Sequence, residues 1–258
     1  MKLAVFSPYG ALHREAGLLY AVANYLAKNG AEVCQLRCDG AVAACGRDRR
    51  GGSVRSPFQC ARCMNEQQAL IGWAGGHGRD VANLLAPEDV IKTTEWIQGV
   101  PVDALERVEF RGVNLWSVCA EELKVRWDGA DVEANQQARV ADIRELFASY
   151  VRIALASERF IDQWKPSFTM ISSIHDPLGH AYLLQAKLAK VETAVWSFDP
   201  EGECVVVESL SNPKRYETRL VLEGVVSMRN DPRTWGPEVN AVLHEVLTYL
   251  GYAPDRVV

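Results

Sequence analysis

The chain has 258 residues, 48% of them apolar and 24% charged, with 28 Lys and Arg against 33 Asp and Glu. That apolar share is enough for a buried core and excludes a disordered chain, while a net charge of −5 gives no overall pull toward nucleic acid or anionic lipid. No run of about eighteen apolar residues occurs, so no membrane span is expected, and Met1 to Pro8 lacks the features of a signal peptide; a soluble cytoplasmic protein is the expectation.

The opening reads as a β-α-β unit. Lys2 to Ser7 is a short apolar strand, Ser7-Pro8-Tyr9-Gly10 is turn chemistry, and a helix is predicted from about His13 to Asn29. Leu18, Leu19, Val22 and Leu26 fall on one face of that helix, and Asn29-Gly30 is a stop signal. Ala31 to Arg37 is the next strand. So short a crossover joins parallel strands with right-handed connectivity.

Residues 38–63 break this rhythm: they are rich in Gly and Ser and poor in apolar residues after Val42. So long a loop inside a compact domain needs something other than a core to order it. Helix is predicted again near Asn65 to Trp73, with an interruption at Gly75-Gly76-His77-Gly78, and Val108 to Val118 reads as strand. Three- and four-residue apolar steps through Val140, Ile143, Phe147, Tyr150, Val151, Ala154, Ile161 and Trp164 predict one long helix over about 132–164, ended by Pro166. Ser167 to Ile174 reads as a buried strand, Leu178 to Lys190 as a helix entered at Asp176-Pro177, and Thr193 to Phe198 as a strand. Cys204 to Leu210 and Tyr216 to Ser227 read as strand or hairpin, and Pro237 to Leu250 as a closing helix. The alternation predicts a single α/β domain, a Rossmann-like, doubly wound and mostly parallel sheet with the 38–63 segment inserted.

Five of the seven cysteines, Cys34, Cys38, Cys45, Cys60 and Cys63, lie within thirty residues. Without a secretion signal, disulfides are not expected. The spacing Cys38-x6-Cys45-x14-Cys60-x2-Cys63 suits a four-thiolate metal site, with structural zinc the leading occupant and an iron–sulfur cluster also compatible. Cys34 falls on a strand and is read as core, as are Cys119 and Cys204. Arg37, Arg47, Arg49, Arg50, Arg55 and Arg62 surround the ligands against only Asp39 and Asp48, a local surplus that suits a phosphorylated or nucleic-acid partner or simply a solvated loop face.

Phe6-Ser7-Pro8-Tyr9-Gly10, then Leu26-Ala27-Lys28-Asn29-Gly30-Ala31-Glu32-Val33 and Arg37-Cys38-Asp39-Gly40, resemble the N-terminal half of GT-B glycosyltransferases. The likeness is to bacterial polysaccharide-biosynthesis enzymes with an inserted four-cysteine loop. Trp164 to Ile171 and Thr193 to Trp196 agree with that family's later strands. The resemblance implies transfer of a sugar from a nucleotide-sugar donor to a hydroxyl on a small-molecule or glycan acceptor. It also implies a second chain supplying the donor-binding half. The other reading is a non-catalytic zinc-stabilised subunit that docks a protein or nucleic-acid partner.

In a doubly wound sheet, ligands bind beyond the carboxyl ends of the strands. The connection carrying Tyr9 and Gly10 and the one carrying Ser173 are therefore the candidate substrate-binding loops. His13, Glu15, His175 and Asp176 are the candidate bases for deprotonating an acceptor hydroxyl. Each has a plainer role available: Glu15 complements a helix dipole, and Asp176 before Pro177 is a helix cap. His175-x4-His180 lacks the Glu of a metallohydrolase helix, and no phosphate loop or nucleophile elbow is present.

Overall fold

The computed structural model describes residues 1–8, 14–42, 44–45, 57–127, 137–172, 175–212, 214–219 and 236–252. Strand β1 (Lys2–Phe6) leads into helix α1 (Arg14–Lys28), β2 (Glu32–Arg37), α2 (Pro57–Trp73) and β3 (His77–Asp80). The chain then runs through α3 (Val81–Leu84), α4 (Pro87–Gly99), a 3-10 turn at Val102–Arg107, the small hairpin β4 (Glu109–Phe110) and β5 (Val113–Asn114), and α5 (Leu115–Arg126). It returns by way of α6 (Gln137–Trp164) to β6 (Phe168–Ser172), α7 (Pro177–Leu188), β7 (Glu192–Asp199), β8 (Cys204–Ser209), β9 (Arg215–Thr218) and α8 (Pro237–Tyr249).

Seven strands form one sheet in the order β3-β2-β1-β6-β7-β8-β9. The first five are parallel, and β8 and β9 add antiparallel strands at one edge. The mixed α/β class with a mainly parallel sheet is as expected. Strand order runs outward from β1 to β3, then restarts at β6 on the other side of β1. The β1–β6 seam is therefore a topological switch point, where the loops beyond the strands part and leave a crevice.

Side chains alternate between two cores. Ala4, Phe6, Cys34, Leu36, Ile171 and Val195 face α3 to α7. Leu3, Val5, Val33, Met170, Ala194 and Trp196 face α1, the end of α2 and α8. Strands covered on both faces lack polar alternation, which is why β1 reads as a continuous apolar run from Leu3 to Phe6.

The 28 residues of α6 span about 42 Å at the usual rise. Its last turn closes on Lys165, whose φ of 51° puts it in the left-handed region, before Pro166 stops the helix. The expected strand at 108–118 is reduced to the β4–β5 hairpin and then becomes α5. Arg111 and Gly112, both at positive φ, make the two-residue turn the hairpin needs, and Arg111 is held by Gln185 at 2.6 Å and Glu158 at 2.8 Å.

The expected interruption after α2 is a turn at Gly75, and beyond Gly76 the residues His77 and Gly78 open the edge strand β3. A Cβ on Gly76 would sit 2.8 Å from the Val33 carbonyl oxygen, and one on Gly78 would collide with the Arg37 guanidinium. The missing side chains allow this close approach of β3 to β2. The 38–63 segment is also shorter than expected as a loop, because α2 starts at Pro57, where the absent proline N–H costs nothing.

Candidate functional site

At the seam, the hydroxyl of Ser172, the last residue of β6, donates to the hydroxyl of Ser7, which follows β1, across 3.0 Å. Both serines are fully buried. Behind them, between the sheet and α1 and α2, lie three more buried polar side chains: Tyr20, Gln35 and Gln67. Burial holds the Tyr20 hydroxyl in its neutral form, and Ser7 and Gln35 beside it counter that only in part. The Gln67 amide donates to the Pro8 carbonyl at 3.2 Å and to Cys63 Sγ at 3.6 Å. Gln67 Oε1 has no hydrogen-bond partner among the described residues. Tyr20, Gln35 and Gln67 were not among the sequence candidates, whereas Ser7 and Ser172 open the two candidate ligand loops. Their signal was there in part: Gln35 interrupts an otherwise apolar strand, and such residues are retained only with partners or a task.

The thiols gather beside this cluster. Cys38 leaves β2, is partly buried, and accepts hydrogen bonds at sulfur from the backbone N–H groups of Gly40 and Val42. Its thiol is pushed up to about 12, first by burial and then by the nearby Cys45 and Cys63 sulfurs. Val42 and Ala44 are buried toward α6, and the Ala44 N–H donates to Ser149 Oγ at 3.0 Å. Cys60 and Cys63 lie on the first turns of α2, three residues apart and so on one face, not on a tight loop turn as expected. Cys60 Sγ lies 3.9 Å from Met64 Sδ. Among the described residues no group of three or more His, Cys, Asp or Glu side chains is arranged to hold a metal ion. Cys34 is buried within β2 and its thiol is raised to about 11 by burial, in keeping with a core residue.

A cleft of about 230 Å³ opens at the C-terminal ends of β2 and β3, bordered by Cys38, Asp39 and Asp80 and by the α2 residues Met64, Asn65, Gln67 and Gln68. Arg37 closes its floor, paired with Asp80 at 2.6 Å and hydrogen-bonded to Gln68. Asp39 accepts from the Ala82 N–H at 3.2 Å. Two of the six arginines in the basic segment are thus engaged within the fold, since Arg62 pairs with Glu66 at 2.8 Å. Arg47, Arg49, Arg50 and Arg55 lie outside the described residues.

Of the expected substrate and catalytic residues, Tyr9, Gly10, His13 and Ser173 lie outside the described residues, as does the Glu15 side chain. Asp176 caps α7, accepting from the Leu178 N–H at 2.8 Å with Pro177 at the first helical position. His175 is exposed in the turn before it. His180, one turn into α7, is not positioned with His175 as a ligand pair: its Nδ1 is 3.0 Å from the Tyr150 hydroxyl, in the neighbourhood of buried Cys119.

No family model matches the chain, and no curated protein matches it. Among solved structures, the zinc-inhibited form of the teicoplanin deacetylase Orf2 is 14% identical over 78% of this chain and 69% of that one, with a TM-score of 0.40. The A40926 pseudoaglycone deacetylase Dbv21 is 14% identical over 97% and 84%, with a TM-score of 0.37. Tyrosyl-tRNA synthetase from Archaeoglobus fulgidus, complexed with L-tyrosine, is 12% identical over 73% and 51%, with a TM-score of 0.37. Likenesses of this size carry no assignment of activity. The glycosyltransferase expectation is corrected here: no glycosyltransferase family model matches the chain, and none of the three structures named above is a glycosyltransferase. The residues behind that resemblance are the strand, turn and helix signals common to parallel α/β folds, which do not separate one chemistry from another. Among the described residues no helix is long and apolar enough to cross a membrane.

Proposed function

We propose that this chain is a metal-organised, small-molecule-binding α/β protein in which Cys38, Cys45, Cys60 and Cys63 hold a structural zinc ion at the rim of the switch-point crevice. The observation that carries this reading is the neighbourhood of Cys38. Cys45 and Cys63, from segments far apart in sequence, both lie close enough to act on its sulfur, which also takes two backbone N–H bonds. Backbone N–H groups aimed at sulfur orient and steady a metal-bound thiolate. Cys60 joins the set by its helical spacing from Cys63, and the ion would have to draw the sulfurs together, since no ready-made metal-binding group stands among the described residues. Four thiolates suit zinc, whose charge lowers the cost of ionising buried thiols and closes the coordination sphere.

Zinc would supply structure here, not a reacting centre. It would tie the β2–α2 connection to the strand ends, leaving Gln67 to link Cys63 to the Pro8 carbonyl at the crevice. The test is elemental analysis of protein purified without chelator, for the parent chain and for each of the four Cys→Ser variants. Cys34→Ser and Cys204→Ser serve as controls. One zinc per chain, lost in the four variants and kept in the controls, is expected. Iron with acid-labile sulfide would replace zinc by a cluster, and a metal-free parent chain would end the proposal.

A further inference from the structure

The geometry points to a binding site for a neutral, polyhydroxylated small molecule in the cleft at the ends of β2 and β3, with the Asp39 carboxylate and Gln67 Oε1 receiving its hydroxyl hydrogens. The inference deepens the proposed function and rests on it only for the rim at Cys38. A cleft of about 230 Å³ is below the size usual for drug-like ligands, so one small ring fits the space.

Gln67 is the independent sign that something belongs there. Its side chain is fully buried and borders the cleft, its nitrogen is spent on Pro8 and Cys63, and its oxygen has no donor among the described residues. A buried acceptor left without a donor is costly, and native proteins rarely tolerate one without cause. Asp39 adds a second acceptor. One of its oxygens is held by the Ala82 N–H, which steadies the carboxylate and leaves the other oxygen for a ligand. The cleft therefore asks for donors.

Charge decides what kind. Asp80 is neutralised by Arg37, so the carboxylate of Asp39 is the lining charge without an ion-pair partner among the described residues, and it disfavours an anion. Asn65 and Gln68 carry amides that present either a donor or an acceptor, and the Met64 thioether offers an apolar contact for a ring face. Hydroxyls on a compact neutral ring satisfy every group.

Ligand-observed NMR and calorimetric titration would use D-ribose and myo-inositol as neutral probes, ribose 5-phosphate as the anionic one and ethanolamine as the cationic one. Saturable binding of a neutral polyol is expected, weakened at least tenfold by Asp39→Asn and by Gln67→Leu and unchanged by Glu121→Gln on the far surface. Circular dichroism checks that each variant folds, and Asp39→Asn keeps the test decisive if Gln67→Leu does not. Absence of polyol binding, binding indifferent to Asp39→Asn, or tighter binding of either charged probe overturns the inference. Zinc present without polyol binding removes this inference alone; polyol binding by a metal-free chain removes the zinc site alone.

Discussion

Ser172 and Ser7 join their hydroxyls across 3.0 Å at the point where the strand order reverses. Ser7 follows the apolar run of β1, Ser172 ends β6, and each is buried. The bond ties the two strand ends whose loops part to form the crevice. Ser172→Ala is expected to lower unfolding free energy by about 1 kcal/mol, a typical net value for one internal hydrogen bond. The double variant with Ser7→Ala should lose less than the sum of the two single losses, because both remove the same bond. Urea denaturation of the four proteins measures this; strict additivity would mean the pair is not coupled.

Tyr150 and His180 form a second polar contact inside the α6–α7 packing. Burial, aided by Lys187, pulls the His180 pKa below its ordinary 6.5. A depressed folded-state value means the unfolded chain binds the proton more readily. The contribution of His180 is therefore complete above pH 6.5 and is lost as pH falls through the lower folded value. Denaturant midpoints measured from pH 8 down to pH 5 should fall, and His180→Gln should flatten part of that slope. Tyr150→Phe removes a donor to the neutral ring and should move the His180 titration, followed by NMR, to higher pH.

Asp89 serves two partners at the start of α4: it accepts from the Ala86 N–H at 2.7 Å and pairs with Arg159 of α6 at 2.5 Å. The Arg159 hydrogen bond holds its carboxyl below the ordinary value of 3.8. The resulting stability is present above that value and disappears as pH falls through the lower folded one. Asp89→Ala should cost about 0.5–2 kcal/mol from the lost helix-start bond, read as a lower urea midpoint at neutral pH. The difference from the parent chain should shrink in strong acid; a constant difference would show that the carboxylate charge is not involved.

Gly76 and Gly78 offer a test of how β3 is seated. Gly76→Ala meets the Val33 carbonyl, which cannot move without disturbing β2, whereas Gly78→Ala meets the Arg37 side chain, which can turn away at the expense of its Asp80 contact. Both should destabilise by about 1–3 kcal/mol, as overpacking usually does, with Gly76→Ala the more severe. Thermal melts order the two. Gly78→Ala should in addition weaken binding in the cleft, since Arg37 forms part of its lining.

Local pattern carried much of this fold. The β1-α1-β2 unit, the long α6, the Asp176-Pro177 entry to α7 and the closing α8 were all legible, because apolar periodicity and helix-end chemistry act over a few residues. The four residues of β3 were not. His77-Gly-Arg-Asp80 has no apolar face of its own and becomes a strand only because β2 presents an unpaired edge and Gly76 and Gly78 let it approach. Likewise Val108 to Val118 looks like strand in composition, but Asn114 caps a helix there by accepting from the Ser117 N–H, and α5 packs its Leu115, Cys119 and Leu123 into the core.

The candidate site divides the same way. The cysteine spacing and the two strand-end loops stand out along the chain, because thiols and turn residues are distinctive wherever they fall. The polar cluster of Ser7, Tyr20, Gln35, Gln67 and Ser172 does not, since its members come from the end of β1, from α1, β2 and α2 and from β6, and only Gln35 stands out among its sequence neighbours. The sequence by itself determined the class of the fold, through hydrophobic alternation that only strands and helices of these lengths can bury. Tertiary structure alone decided which polar groups meet in the dry interior. That depends on strand order and helix packing over separations of up to 165 residues, and local propensity does not encode contacts at that range.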